Sequence, residues 1–291
     1  MGTSQSSRGS PSGVPMVPPW VPAPAAPPVP PPEDGEPNTS DQNGPDDQPT
    51  PNALNSPPAP SLPVPIAPEG RFRGTRLSLG NFARSGDSDD MRRGVGRYIR
   101  TGYGGARTAS RRFEGTASTA GALYGALSAT ASGQAPAAGS PLDPVLLAGR
   151  SAREVMDAIV EAVRSADGTQ DAEASRAAIK DALSELLTRF QDADLLILTP
   201  EQRDFAIERF VAIDVYRRFV LDVGKSIQDK APSVAAGLSR LRQVKDYIKE
   251  VIAASFRKLR DASRAISTGR VTEIVRTALA DAMQVFEGYA E

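Results

Sequence analysis

Prolines crowd the first quarter of the chain and limit what that part can fold into. Of the 26 prolines in 291 residues, 21 lie within residues 1–70. The same stretch is rich in Ser, Asn and Asp and has few large apolar side chains. Such a segment cannot bury enough apolar surface to offset its chain entropy. We therefore expect a long, Pro-rich, disordered N-terminal arm over residues 1–70, with the foldable part of the chain after it.

The net charge of −1 is the sum of three zones whose charges alternate in sign along the chain. Residues 1–70 carry −6, residues 71–112 carry +8 from eleven Arg and three Asp, and the remainder carries −3. A basic block between two acidic zones can contact nucleic acid, an anionic protein surface, or the acidic regions of its own chain. Charge alone leaves these three alternatives open.

The chain contains no cysteine and no histidine. Their absence excludes disulfides, thiolate nucleophiles, Ser-His-Asp triads and the usual zinc sites. We therefore predict a protein that is not an enzyme, with no catalytic residues, no metal site and no cofactor. The first 30 residues lack the apolar core of a secretory signal, and no stretch approaches twenty consecutive strongly apolar residues. These features favour a cytoplasmic protein with no membrane span.

The start of the arm carries two candidate features for recognition by a partner. Removal of Met1 leaves Gly2 with a free, unhindered α-amine, and the same residues also match the short N-myristoylation pattern. Residues 14–32 favour polyproline II structure, which docks into aromatic grooves or serves as a stiff spacer. The predicted modification site is Gly2. The predicted partner-binding residues are Thr3, Ser4, Val14, Pro15, Val17, Pro18, Pro19 and Trp20.

Residues 71–135 form a second segment, rich in Arg, Gly and aromatic residues, for which we expect short helices. Arginine interleaved with aromatic rings can stack on bases and pair with phosphates, or pack on a protein surface. The predicted basic and aromatic contact residues are Arg71, Phe72, Arg73, Arg76, Phe82, Arg84, Arg92, Arg93, Arg97, Tyr98, Arg100, Tyr103, Arg111 and Arg112. Within the segment, the spacing of Gly121 and Gly125 predicts a short, tightly packed helix.

Residues 144–291 have the pattern of a helical domain. Ser151 with Glu154 and Thr199 with Gln202 are spaced as capping boxes, and apolar residues follow at helical intervals. The fragment containing Lys225 lacks the first glycine of a phosphate-binding loop, so Lys225 is interpreted as a solvated helix residue. Acidic residues alternate with Arg and Lys, which is typical of salt-bridged exposed faces. These acids are Asp181, Glu185, Asp204, Glu208 and Asp214. The predicted fold class is all-α, a C-terminal helical bundle.

Three stretches of unusual composition resemble one known family. They are GTSQSSRGSPSGVPMVPPW at the start, RFRGTRLSLGNFARSGDSDDMRRGVGRYIRTGYGGA, and RRFEGTASTAGALYGALS. Together they are similar to QatB, a component of the bacterial Qat anti-phage defence system. The resemblance covers residues 1–22 and about 71–128, whereas the C-terminal residues agree with the family only in being helical.

The resemblance implies a cytoplasmic defence component that is encoded beside an ATPase, a QueC-like enzyme and a TatD-like nuclease. QueC enzymes use ATP to activate a carboxy-deazaguanine, and a QueC-like partner could pass that carboxyl group to a protein amine. Gly2 is the acceptor that this implies, so the chain would be both partner and substrate. The alternative is a nucleic-acid-binding adaptor that uses the basic segment 71–112.

Overall fold

A computed structural model describes residues 70–133, 139–166, 168–262, 266–267 and 269–291. In these ranges every regular element is a helix and none is a strand, which confirms the predicted all-α class. The predicted arm, with Gly2 and the Trp20 motif, lies outside the described residues except for Gly70. The elements are α1 Arg73–Ser85, α2 Ser88–Arg97, π1 Tyr98–Gly102, α3 Ala106–Arg112, α4 Glu114–Ala131, α5 Pro144–Leu147, α6 Ala152–Val163, α7 Gln170–Arg189, α8 Pro200–Phe219, π2 Val220–Gly224, α9 Lys225–Lys230, α10 Val234–Asp261 and α11 Val271–Glu287.

Local sequence signals fix where several of these helices begin. Both predicted capping boxes are present: Ser151 Oγ accepts from the Glu154 N–H, and Thr199 Oγ1 accepts from the Gln202 N–H, each at 3.3 Å. The Glu154 carboxylate accepts the Ser151 N–H in return, at 2.9 Å. Each box satisfies two donors that a helix start leaves unpaired. The starts of α6 and α8 are therefore confirmed.

One hydrophobic core runs through the described part of the chain. It extends in sequence from Phe72 to Phe286, and its largest side chains include Phe82, Phe113 and Phe210. Helix α8 packs against α4, α7 and α10, while α11 packs against α3, α4 and α10. Residues 71–133 thus share their core with residues 144–291, within one compact unit.

Two glycines between residues 71 and 133 serve close packing between helices. A side chain on Gly94 would lie 2.5 Å from Leu79 of α1, and one on Gly121 would meet Thr272 of α11. Because glycine has no side chain, the helices approach each other more closely at these positions than they could around any other residue. The packed helix predicted around Gly121 is confirmed, although α4 is 18 residues long and so not short.

Candidate functional site

The predicted contact aromatics do not lie together on the surface. Phe72, Phe82 and Tyr98 are 5%, 0% and 2% exposed, because their helices turn these rings into the core. They cannot stack on a base or on a partner in this fold, and this part of the prediction is wrong. Tyr103 is half-buried at the edge of a polar cavity. Phe113, which shares the same aromatic pattern, is also buried.

The predicted contact arginines separate into groups with different surroundings. Arg92 and Arg93 pair with Asp89 and Asp90 one helical turn away, at 3.3 and 3.0 Å. Arg100 lies 3.8 Å from the carboxylate of Glu291. The guanidinium of Arg97 donates a hydrogen bond to Ser78 Oγ at 2.9 Å. The remaining arginines either line the polar cavity beside Tyr103 or face outward. Those lining the cavity are Arg71 and Arg112; those facing outward are Arg73, Arg76, Arg84 and Arg111.

The cavity is lined by Leu221 and Asp222 of the second π-helical turn, π2, and the buried Tyr98 of the first, π1, hydrogen-bonds to Asp222. A π-turn holds one more residue than an α-turn and is common at functional sites. Here π1 presents Tyr98 and π2 presents Asp222. The hydroxyls of Tyr98 and Tyr103 both donate to Asp222 Oδ2, each at 2.8 Å, and lie 3.2 Å from each other. One carboxylate oxygen therefore joins residues more than a hundred positions apart in sequence.

Burial governs the electrostatics of this tyrosine pair. Burial, reinforced by the Tyr103 hydroxyl and the Asp222 charge, raises the pKa of Tyr98 well above its ordinary value. Burial and the Asp222 charge also raise the pKa of Tyr103, to about 12. Both phenols thus keep their protons at neutral pH and remain hydrogen-bond donors to Asp222.

Three arginines from separate elements close the cavity, which has a volume of about 260 Å³. Arg71 precedes α1 and lies 4.0 Å from Asp222, whereas Arg112, at the end of α3, lies 5.8 Å from the centre of the Tyr103 ring. Arg218 of α8 pairs with Asp171 at 3.3 Å. The remaining lining residues are Phe113 and Leu221. Two of the three arginines, Arg71 and Arg218, thus lie next to carboxylates of the same chain. These contacts connect the first helices with α7 and α8.

Arg218 also contacts a fully buried carboxylate that does not line the cavity. Asp214 is 0% exposed; its Oδ2 accepts from Thr116 Oγ1 at 2.6 Å and from Arg218 Nε at 3.4 Å. Its Oδ1 has no hydrogen-bond partner within the described residues. Arg218, which lines the cavity, therefore supplies a positive charge next to this buried carboxylate.

Four of the five acids expected on exposed faces are of two kinds, and the fifth, Asp204, is half-buried. Asp181 pairs with Arg217 and Glu185 with Lys249, both at 2.8 Å, as the alternating charge pattern predicted. Glu208, which pairs with Arg260 at 3.1 Å, is only 7% exposed, and Asp214 is buried completely. The prediction of an exposed face is wrong for Glu208 and Asp214, because α8 is surrounded by other helices.

Asp204 gives the fold a pH dependence that one substitution should remove. Burial raises the pKa of Asp204 from 3.8 to about 6, against the opposing charges of Arg260 and Arg203. Between these two pKa values the folded state binds a proton that the unfolded state does not, so this residue's contribution to stability falls as the pH rises. We expect Asp204→Asn to be more stable than wild type at pH 7.5.

The advantage of the Asp204→Asn variant should shrink as the pH falls through about 6 and vanish near 3.8. Urea denaturation of both chains at several pH values measures it. A stability difference that does not change with pH would show that desolvation of this carboxyl is unimportant.

Two further properties concern the described residues as a whole. None of their helices is both long enough and apolar enough to cross a bilayer. Within the same ranges, no group of three or more acidic side chains is placed to hold a metal ion. Lys225 is exposed at the start of α9, as its interpretation as a solvated helix residue requires.

The fold and the cavity define an all-helical protein in which two π-helical turns build a polar junction. A family model described as Qat anti-phage system associated protein QatB matches residues 104–286. This range is more than half of the chain, and the chain therefore belongs to the QatB family, a component of the Qat anti-phage system. The matched range includes the C-terminal helices, for which the three stretches of unusual composition gave only a weak resemblance to the family. No curated protein and no solved structure matches the chain.

Proposed function

We propose that this chain is a non-catalytic component of the Qat system that presents its N-terminus to a QueC-like enzyme and is modified at Gly2. Membership of the QatB family supplies the setting, because it places the chain among other Qat components. One observation carries the choice of Gly2: no lysine precedes Lys180. The α-amine is thus the only primary amine in the first 179 residues.

Acylation of Gly2 requires only that this chain provide an accessible, neutral α-amine. An α-amine has a pKa of about 7.7–8, so an appreciable fraction is neutral and nucleophilic near neutral pH. The amine attacks the carbonyl carbon of the ATP-activated carboxy-deazaguanine, and an amide C–N bond forms. The activating phosphate ester leaves with the bonding electrons of the broken C–O bond, and the nitrogen loses one proton.

The chain between Gly2 and the first helix is long enough to bring this amine to the active site of another protein. Gly70, whose carbonyl accepts the Arg73 N–H at 2.7 Å, is the first described residue before α1. Gly2 lies 68 positions earlier, and a chain of that length spans at most about 230 Å. The residues after Gly2, Thr3 and Ser4, and the motif from Val14 to Trp20 are proposed to dock on the enzyme.

The cavity supports a non-catalytic role for the helical body. Tyr98 and Tyr103 keep their protons and donate to Asp222, and Arg71 and Arg218 face carboxylates of the chain. These groups are engaged with each other and contribute to holding the helices together. On this account, the system's ATPase and TatD-like nuclease are further partners, in the cytoplasm.

The mass of the chain co-expressed with its QueC-like partner tests the proposal. We expect the intact protein, after loss of Met1, to gain the mass of one deazaguanine acyl group. The gain should disappear when the enzyme is omitted. A gain located on the lysine-containing peptides after residue 179 would exclude Gly2 as the acceptor.

A further inference from the structure

Helix α1 carries a stripe of cations on its outward side. At 100° per residue, Arg73, Arg76 and Arg84 fall within an arc of about 80°. Leu77 lies about 20° beyond the edge of this arc and is 59% exposed. The three arginines are exposed, and within the described residues none lies within ion-pair distance of a carboxylate. The thirteen residues of α1 give the stripe a length of about 20 Å.

Two cations from other helices widen this stripe. Lys230, at the end of α9, donates from Nζ to the Arg76 carbonyl at 3.2 Å, and its side chain lies over Gly80. Arg240 of α10 lies beside Gly86, with its guanidinium 5.6 Å from the centre of the Phe82 ring. Neither has a carboxylate within ion-pair distance in the described part of the chain. Arg73, Arg76, Arg84, Lys230 and Arg240 are called the α1 stripe.

We propose that the α1 stripe binds an acidic segment of the same chain, residues 33–47. That segment contains six acidic residues and no basic one, which complements the five cations of the stripe. Its acids are Glu33, Asp34, Glu36, Asp41, Asp46 and Asp47. The stripe begins at Arg73, three positions after the predicted arm ends at Gly70.

The connection between segment and stripe is long enough for this contact. Asp47 lies 23 positions before Gly70, a distance that spans up to about 75 Å when extended, several times the length of the stripe. Tethering through a short linker gives an effective concentration on the order of millimolar. A contact too weak to hold a free peptide is therefore populated within one chain.

The contact would divide the predicted arm into a held part and a free part. Residues 2–32, with Gly2 and the motif that ends at Trp20, would project beyond the held segment. The inference stands apart from the proposed function, since Gly2 can be modified whether or not residues 33–47 are held.

Carbodiimide cross-linking of the full-length protein tests the contact, because it joins carboxylates to lysine amines. Lys230 is the lysine of the stripe. Lys258, with a side chain 71% exposed, lies 18 positions beyond Arg240 on the same helix and serves as the reference. We expect residues 33–47 to cross-link to Lys230 in a yield on the order of fivefold above Lys258 at about 0.02 M salt, and this excess to vanish at about 0.5 M.

A charge variant and its matched control complete the experiment. Replacing Arg73, Arg76 and Arg84 by Gln should abolish the excess at Lys230. The same change at Arg107, Arg111 and Arg153, which are exposed elsewhere, should leave it intact.

Three results would overturn the proposal. The first is equal cross-linking to Lys230 and Lys258. The second is cross-linking between two chains in an isotopically mixed sample. The third is salt-dependent binding of single-stranded DNA to the stripe that does not tighten when the six acids are neutralised, because the stripe would then be a nucleic-acid surface that residues 33–47 leave unoccupied.

Discussion

Replacing Gly96 by alanine is expected to lower the free energy of unfolding by about 1–3 kcal/mol. Gly96, in α2, is buried against the last residues of the chain. A methyl group there would lie 2.5 Å from the Ala290 nitrogen, 2.7 Å from the Tyr289 carbonyl carbon and 2.8 Å from the Phe286 oxygen. These are backbone atoms, so no side-chain rotation relieves the overlap and the C-terminal residues must move away from α2.

The control for this prediction is the same substitution at Gly125. Gly125 lies within α4, and a methyl group there has no neighbour within 4 Å. Alanine favours a helix over glycine by up to about 1 kcal/mol, so Gly125→Ala should stabilise the protein. Urea denaturation of both variants compares the two effects. Similar midpoints for the two variants would contradict the close contact between α2 and the C-terminus.

Replacing Arg218 by leucine is expected to cost about 3–5 kcal/mol, the typical effect of breaking a buried ion pair. The substitution leaves Asp214 fully buried, with one hydrogen bond from Thr116 and no compensating charge. It also removes the contact of the guanidinium with Asp171 at the cavity. Thermal or chemical denaturation measures the loss.

A double variant separates the buried charge from the other contacts of Arg218. Asp214→Asn in the Arg218→Leu background removes the uncompensated charge and keeps an oxygen that accepts from Thr116. We expect it to recover at least about 1 kcal/mol relative to Arg218→Leu alone, because the two residues are directly coupled. A double variant as unstable as the sum of the two single variants would show that Asp214 does not depend on Arg218.

Local signals made the helical part of the fold predictable. Capping boxes act within four residues, so Ser151 with Glu154 and Thr199 with Gln202 marked α6 and α8 correctly. Glycine composition was less informative, because the same residue suits a loop and a close helix contact. Gly96 is constrained by backbone atoms near the other end of the chain, which no local pattern contains.

The candidate site was only partly predictable for the same reason. Arg71, Tyr103 and Arg112 were singled out, and the structure does place them around one cavity. Asp222 was missed, since it lies in an ordinary helical pattern and gains its role through Tyr98, 124 positions away. The rings of Phe72 and Phe82 looked like surface anchors because arginines flank them, yet the helical geometry turns these rings inward.

The mass of the N-terminal tryptic peptide tests the central claim most directly. After loss of Met1, cleavage at Arg8 releases residues 2–8, a peptide whose only primary amine is the α-amine of Gly2. In cells that contain the QueC-like enzyme and the deazaguanine pathway, we expect this peptide to carry one deazaguanine acyl group, with fragment ions placing it on Gly2. The same peptide found only in its unmodified form under those conditions would contradict the account.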